Sequence, residues 1–82
     1  MVLEKTHKIT LYNDNKHDFL YVMACLIRIC KHSPEQAEQC AIIVDGKGSY
    51  DVASGTFNDM YEKLMSLEEL ELTVEINESS LY

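Results

Sequence analysis

The amino-acid sequence predicts an α+β domain in which a three-stranded sheet is packed by three helices, in the order β-α-α-β-α-β. Segments of alternating apolar and polar residues lie near both ends of the chain. Between them, apolar residues recur mostly every three or four positions, which is typical of amphipathic helices. The length of 82 residues, 46% of them apolar, allows one domain with a modest core. We therefore expect a single domain over residues 1–82, with short tails at 1–7 and 77–82.

The first strand is predicted at Lys8–Tyr12, where β-branched and aromatic residues alternate with polar ones. A polar turn, 13–15, ends this strand. The first helix is predicted over 16–31, and a second apolar stripe alongside the main one indicates either burial on two sides or a binding surface. The main stripe consists of Phe19, Val22, Met23, Leu26, Ile27 and Cys30.

The second helix is predicted to begin after Ser33, since Ser-Pro-Glu-Gln combines an N-cap, a first-turn proline and a capping-box glutamine. Its predicted inward face carries Ala37, Cys40, Ala41 and Val44. Gly46 is the predicted left-handed residue that ends the helix.

The second half of the chain predicts a weakly patterned strand at 49–54, then a helix capped by Thr56. The closing strand is predicted at 70–76, because Leu70, Leu72, Val74 and Ile76 alternate with polar residues. The apolar stripe of the third helix consists of Phe57, Met60, Tyr61, Leu64 and Leu67.

The net charge of −7 excludes a basic nucleic-acid surface and argues against binding to an anionic membrane. The charge is uneven: residues 1–33 carry five basic and three acidic side chains, whereas residues 34–82 carry two and eleven. No apolar run is long enough to span a bilayer, and no secretory signal is recognisable at the N-terminus. Three cysteines within helical patterns are typical of reduced thiols, so we expect a cytoplasmic protein.

Catalytic and metal-binding motifs are not evident. Neither the grouping of Asp14, His17 and Asp18 nor that of Cys30 and His32 matches a zinc spacing. Gly-Lys-Gly at 46–48 lies between a helix and a strand, so it predicts a turn rather than a phosphate loop. We predict no catalytic residue, no metal and no cofactor.

The polar turn and the helix that follows it, Leu11–Val22, resemble the start of the ClpS family, the adaptors of the AAA+ Clp protease. The resemblance continues through Ala37–Val44, the glycine turn at Gly48 and the strand Leu70–Ile76, so that it covers about residues 7–77. It implies the fold inferred above, with an antiparallel sheet. It also implies binding of proteins that begin with Leu, Phe, Tyr or Trp, followed by delivery to a Clp unfoldase.

The resemblance assigns the substrate's α-amino group to Asn13, Asp14, Asn15 and Asp45. Two of these positions depart from the family pattern, because Asn15 replaces an aspartate and Asp45 replaces a histidine. The negative charge near the ammonium group is thereby relocated, and we expect Asp45 to supply it. The apolar pocket that holds the first side chain is assigned to Leu11, Phe19, Val22, Ala41, Val44 and Leu70.

Lys63 matches a family lysine that contacts the N-terminal domain of the unfoldase, although an Asp59–Lys63 surface pair explains it nearly as well. The expected partners are that domain and peptides with bulky N-terminal residues. We expect the protein to be a monomer and to come from the cytoplasm of a bacterium. Two alternatives stay open. One is an interaction domain of the same fold with altered or lost N-terminal recognition; the other is a small thiol or metal protein.

Overall fold

The computed structural model describes residues 6–79 and has the predicted α+β class and element order. Three helices and a three-stranded sheet alternate as β-α-α-β-α-β. The elements are β1 (Thr6–Tyr12), α1 (Phe19–Cys30), α2 (Pro34–Lys47), β2 (Ser49–Gly55), α3 (Phe57–Glu69) and β3 (Thr73–Ser79).

The sheet has the order β2-β1-β3, and β1 pairs antiparallel with both neighbours. Ile9 lies opposite Ala53 on one side and Ile76 on the other. The central strand is buried because it is covered on both edges and packed by the helices. Ile9 and Leu11 are among the least exposed side chains of the described residues.

The core lies between the sheet and the three helices. Each helix contributes to it, with Leu26 from α1, Val44 from α2 and Leu67 from α3. The second apolar stripe of α1 is only partly covered, since Leu20 is 73% and Tyr21 38% exposed whereas Cys25 is buried. The stripe is thus buried at Cys25 and leaves exposed apolar surface at the N-terminal end of the helix.

The boundaries of the first two helices differ from the predictions. The first helix begins at Phe19 rather than at residue 16, because Asp18 is its N-cap and accepts a hydrogen bond from the Tyr21 backbone N–H at 2.8 Å. The second helix runs through Gly46 and ends at Lys47. Gly48, with φ of 94°, is the left-handed residue that follows it.

The strand boundaries differ as well. The closing strand begins at Thr73, not at Leu70, because residues 70–72 reverse the chain after α3. Strand β1 begins at Thr6, and β3 continues to Ser79, so the tails expected at 1–7 and 77–82 each contribute residues to the sheet. The remaining positions of those tails lie outside the described residues.

Candidate functional site

The loop between β1 and α1 is built from turns closed by side chains. The Asn13 side-chain oxygen accepts a hydrogen bond from the Asn15 N–H at 3.2 Å, and Asp14 Oδ1 accepts one from the Lys16 N–H at 3.0 Å. Asn15 has a left-handed backbone with φ of 61°, which asparagine adopts more readily than most residues. Both Asn13 and Asn15 are exposed, so their amide groups are accessible to a ligand.

The Asp14 carboxylate is engaged inside the protein. Besides Lys16, it lies 3.3 Å from the His17 Nδ1 and accepts a hydrogen bond from the Thr73 hydroxyl at 3.2 Å. Burial tends to raise the pKa of Asp14, but the hydrogen bonds from Lys16 and Thr73 and the interaction with His17 outweigh it and lower that pKa. An ionised Asp14 therefore ties the loop to strand β3.

The C-terminal end of α2 meets this loop. The Asn13 N–H donates a hydrogen bond to the Gly48 carbonyl at 2.8 Å, and Asp45 is an exposed residue of the last helical turn before Gly48. The helix dipole makes a C-terminal end favourable for cations, and a carboxylate in the last turn adds to that effect. The chain thus brings Asn13, Asn15 and the end of the helix that carries Asp45 into one region.

The six residues predicted for the apolar pocket differ in exposure. Leu11, Ala41 and Val44 are buried, and Phe19 is 37% exposed. Val22 and Leu70 are partly buried and pack against the core cluster. The structure therefore places three of the six in the core, with the others nearer to the surface.

Lys63 lies away from the loop, in a cleft of about 660 Å³ that is also lined by Lys8, Lys31, His32 and Asp59. A smaller hollow of about 210 Å³ shares His32 with it and is lined by Cys40 and Val52. Neither cavity is lined by any of the six residues assigned to the apolar pocket. Asp59 and Lys63, which the sequence offered as a surface pair, both face the larger cleft.

His32 makes a contact that the sequence analysis missed. Its Nε2 lies 2.8 Å from the Val52 carbonyl and therefore donates to it, which leaves the Nδ1 facing the Cys40 sulfur at 3.9 Å. From the sequence, Cys30 is the cysteine weighed beside His32, and that pair matches no metal spacing; the fold brings Cys40 close instead. Burial raises the pKa of the Cys40 thiol, and it raises that of Cys30 to about 11, so neither sulfur is an activated thiolate.

The described part of the chain offers no group of three or more His, Cys, Asp or Glu side chains that could hold a metal ion. The three cysteines are free thiols. Among residues 6–79, no helix has the length and apolar character needed to cross a membrane.

Comparison with known proteins identifies a family and similar solved structures. The model of the family described as ATP-dependent Clp protease adaptor protein ClpS matches residues 3–75. The structure of Agrobacterium tumefaciens ClpS2 bound to L-phenylalaninamide is similar, with a TM-score of 0.88, 17% identity and coverage of 94% of this chain and 100% of that one. At that identity the likeness is one of fold. A comparison with curated protein sequences gives no match.

Proposed function

Because this chain belongs to the ClpS family of adaptors of the ATP-dependent Clp protease, we propose that it binds proteins through a bulky hydrophobic N-terminal residue and delivers them to a Clp unfoldase. The observation that carries the proposal is the Asn13–Gly48 hydrogen bond of 2.8 Å, which joins the polar loop to the C-terminal end of α2. Partly exposed apolar residues of α1, Phe19 and Val22, follow that loop directly. The first residue of a peptide carries its amino group and its side chain on the same carbon, so a site that binds both needs polar and apolar surfaces side by side.

Recognition of the α-amino group is proposed for Asn13, Asn15 and Asp45. An ammonium group donates three hydrogen bonds and gains most from a charged acceptor. The Asp14 carboxylate already accepts hydrogen bonds from Lys16 and Thr73, so its proposed role is to orient the loop. Asp45, exposed at the helix end, is the proposed source of the negative charge.

The proposed pocket for the first side chain uses Leu11, Ala41 and Val44 as its floor and Phe19, Val22 and Leu70 as its rim. The floor residues are buried, and Phe19 is the most exposed of the six. Agrobacterium tumefaciens ClpS2 is bound to L-phenylalaninamide, which has a free amino group and a bulky apolar side chain. By analogy we propose Leu, Phe, Tyr and Trp as the first residues that this chain accepts.

The proposed contact with the N-terminal domain of the unfoldase is Lys63, at the cleft between α3, β2 and the end of α1. This cleft lies apart from the proposed peptide site, so a substrate and the unfoldase can be held at the same time. Nothing in this arrangement requires catalysis by the chain itself, in keeping with an adaptor family.

The substitution Asp45→Asn tests the proposed charge directly. It preserves shape and removes the anion, so we expect affinity for a peptide beginning with free Leu or Phe to fall by about 10-fold or more, as measured by fluorescence anisotropy. The matched control is Glu38→Gln, which removes another exposed acid from the same helix and should leave affinity within about 2-fold.

Equal losses in the two variants would show that only long-range charge matters and would contradict a direct contact with Asp45. If the wild-type chain binds no such peptide but does bind an unfoldase N-terminal domain, the alternative of a ClpS-fold interaction domain without N-terminal recognition is favoured instead.

A further inference from the structure

A side-chain hydrogen bond joins α1 to the turn after α3. The Tyr21 hydroxyl donates to the Leu70 carbonyl at 2.9 Å. The Tyr21 ring stacks on the His17 imidazole, with 4.8 Å between ring centroids and 12° between planes. The Tyr21 ring is thus oriented by a contact with His17 in the loop before α1, and its hydroxyl reaches a residue 49 positions away.

A second hydrogen bond holds the other end of the same turn. The Thr73 hydroxyl, at the start of β3, donates to Asp14 Oδ2 at 3.2 Å. Asp14 is itself fixed by the Lys16 N–H and by His17. Residues 70–73, which we call the α3–β3 turn, are therefore tied at one end to α1 and at the other to the β1–α1 loop.

The turn's own backbone bonds fix its shape but not its distance from α1. The Leu72 N–H donates to the Leu67 carbonyl at 3.2 Å and the Glu71 N–H to the Glu68 carbonyl at 2.9 Å, which is a Schellman arrangement at the end of α3. These bonds lie within one helix end. The position of the turn relative to α1 depends on packing, on the pairing of Thr73 with Tyr12 in the sheet, and on the two side-chain ties.

We propose that Tyr21 and Thr73 are positioning residues that set the width of the apolar pocket, by holding the Leu70 side of the pocket at a fixed distance from Phe19 and Val22 on α1. This inference rests on the proposed function. The two hydroxyl groups themselves do not touch the bound side chain; they act through the backbone of the α3–β3 turn. The two hydrogen bonds therefore affect which bulky first residue is preferred, rather than whether a peptide is bound.

The variant Tyr21→Phe removes one hydroxyl and retains the ring that stacks on His17. We expect the affinity for a Leu-starting peptide to fall by about 3-fold or more, because a wall that can move away contacts a small side chain less well. The affinity for a Trp-starting peptide should change by less than about 2-fold, since the larger ring fills the widened space. The Leu-to-Trp preference is therefore the readout, and loss of folding alone would not shift it.

The matched control is Tyr61→Phe on α3, the same chemical change at a tyrosine of similar exposure, 47% against 38% for Tyr21. It should leave both affinities and their ratio unchanged.

A second route to the same effect is Thr73→Val, which is nearly isosteric and removes the hydrogen bond from Thr73 to Asp14. Its shift in preference should have the same direction, and the double variant should show less than the product of the two single effects because both hold one turn.

An unchanged Leu-to-Trp preference in both Tyr21→Phe and Thr73→Val, with wild-type peptide binding intact, would overturn the inference and leave the proposed function standing. An equal loss for all peptides would also overturn it. Absence of binding by the wild-type chain would instead contradict the proposed function, so the two failures are distinguishable.

Discussion

Four of the residues that the structure describes adopt left-handed backbone conformations, which most residue types disfavour. Asn15, Lys31 and Glu71 have positive φ angles near 60°, and Gly48 has one of 94°. Each of these residues lies where the chain changes direction, after β1 or at the end of a helix. Only Gly48 is free of the steric cost that a Cβ atom brings in this region.

The two glycines around Lys47 should respond oppositely to alanine. Gly46 lies inside α2 with no atom near its missing Cβ, so Gly46→Ala should stabilise the fold by about 0.5–1 kcal/mol through helix propensity. Gly48→Ala should destabilise it by about 1 kcal/mol, because φ of 94° is strained for alanine. Urea unfolding monitored by circular dichroism measures both. If Gly46 rather than Gly48 ended the helix, the two signs would be reversed.

At the scale of elements, the alternating pattern after α3 was misleading because it continues through the end of a helix. The alternation Leu70-Glu71-Leu72-Thr73 has the period of a strand, and the sequence analysis assigned it to the closing strand. In the structure Leu70 is the C-cap of α3 and Glu71 is left-handed. Leu72 still alternates inward to the core, so its burial satisfies both interpretations and the pattern could not separate them.

The left-handed Glu71 gives a test of that helix end. Glu71→Gly should raise the free energy of unfolding by about 0.5–1 kcal/mol, because glycine adopts this φ of 66° without steric cost at the position where Schellman turns favour it. Thermal unfolding would report this as a rise in midpoint of several degrees. Glu69→Gly, within the last turn of α3, is the control and should lower stability instead. Destabilisation by both changes would argue that residue 71 continues the strand.

At this same scale, local features of the fold were predictable, whereas the contacts that assemble the candidate site were not. The caps at Ser33 and Thr56 follow from local chemistry, and the structure shows both, with hydrogen bonds from Gln36 and Asp59. The α2 end beside Asn13 and the Tyr21–Leu70 tie join residues distant in sequence, and the Cys40–His32 contact depends on how α2 packs after the end of α1. No local pattern contains such information, so they emerge only when the elements are packed.

At the scale of the whole molecule, the fold separates two surfaces. One combines the β1–α1 loop, the end of α2 and the exposed side of α1; the other is the cleft at Lys63, between α3 and β2. The first surface is the proposed peptide site and the second is the proposed docking face for the unfoldase. In the acidic second half of the chain, Asp45 has a proposed use in binding. Asp51 and Glu75 have structural ones, since Asp51 accepts a hydrogen bond from Thr10 and pairs with Lys8, and Glu75 accepts a hydrogen bond from Tyr12.

The central claim is that the free α-amino group of a bulky first residue is recognised. The most direct measurement is the affinity of this chain for one Phe-starting peptide in two forms, with the amino group free and with it acetylated. Acetylation removes the ammonium charge and two of its donors while the apolar side chain stays the same. We predict that affinity falls by about 100-fold or more on acetylation; equal binding of the two forms would contradict the account.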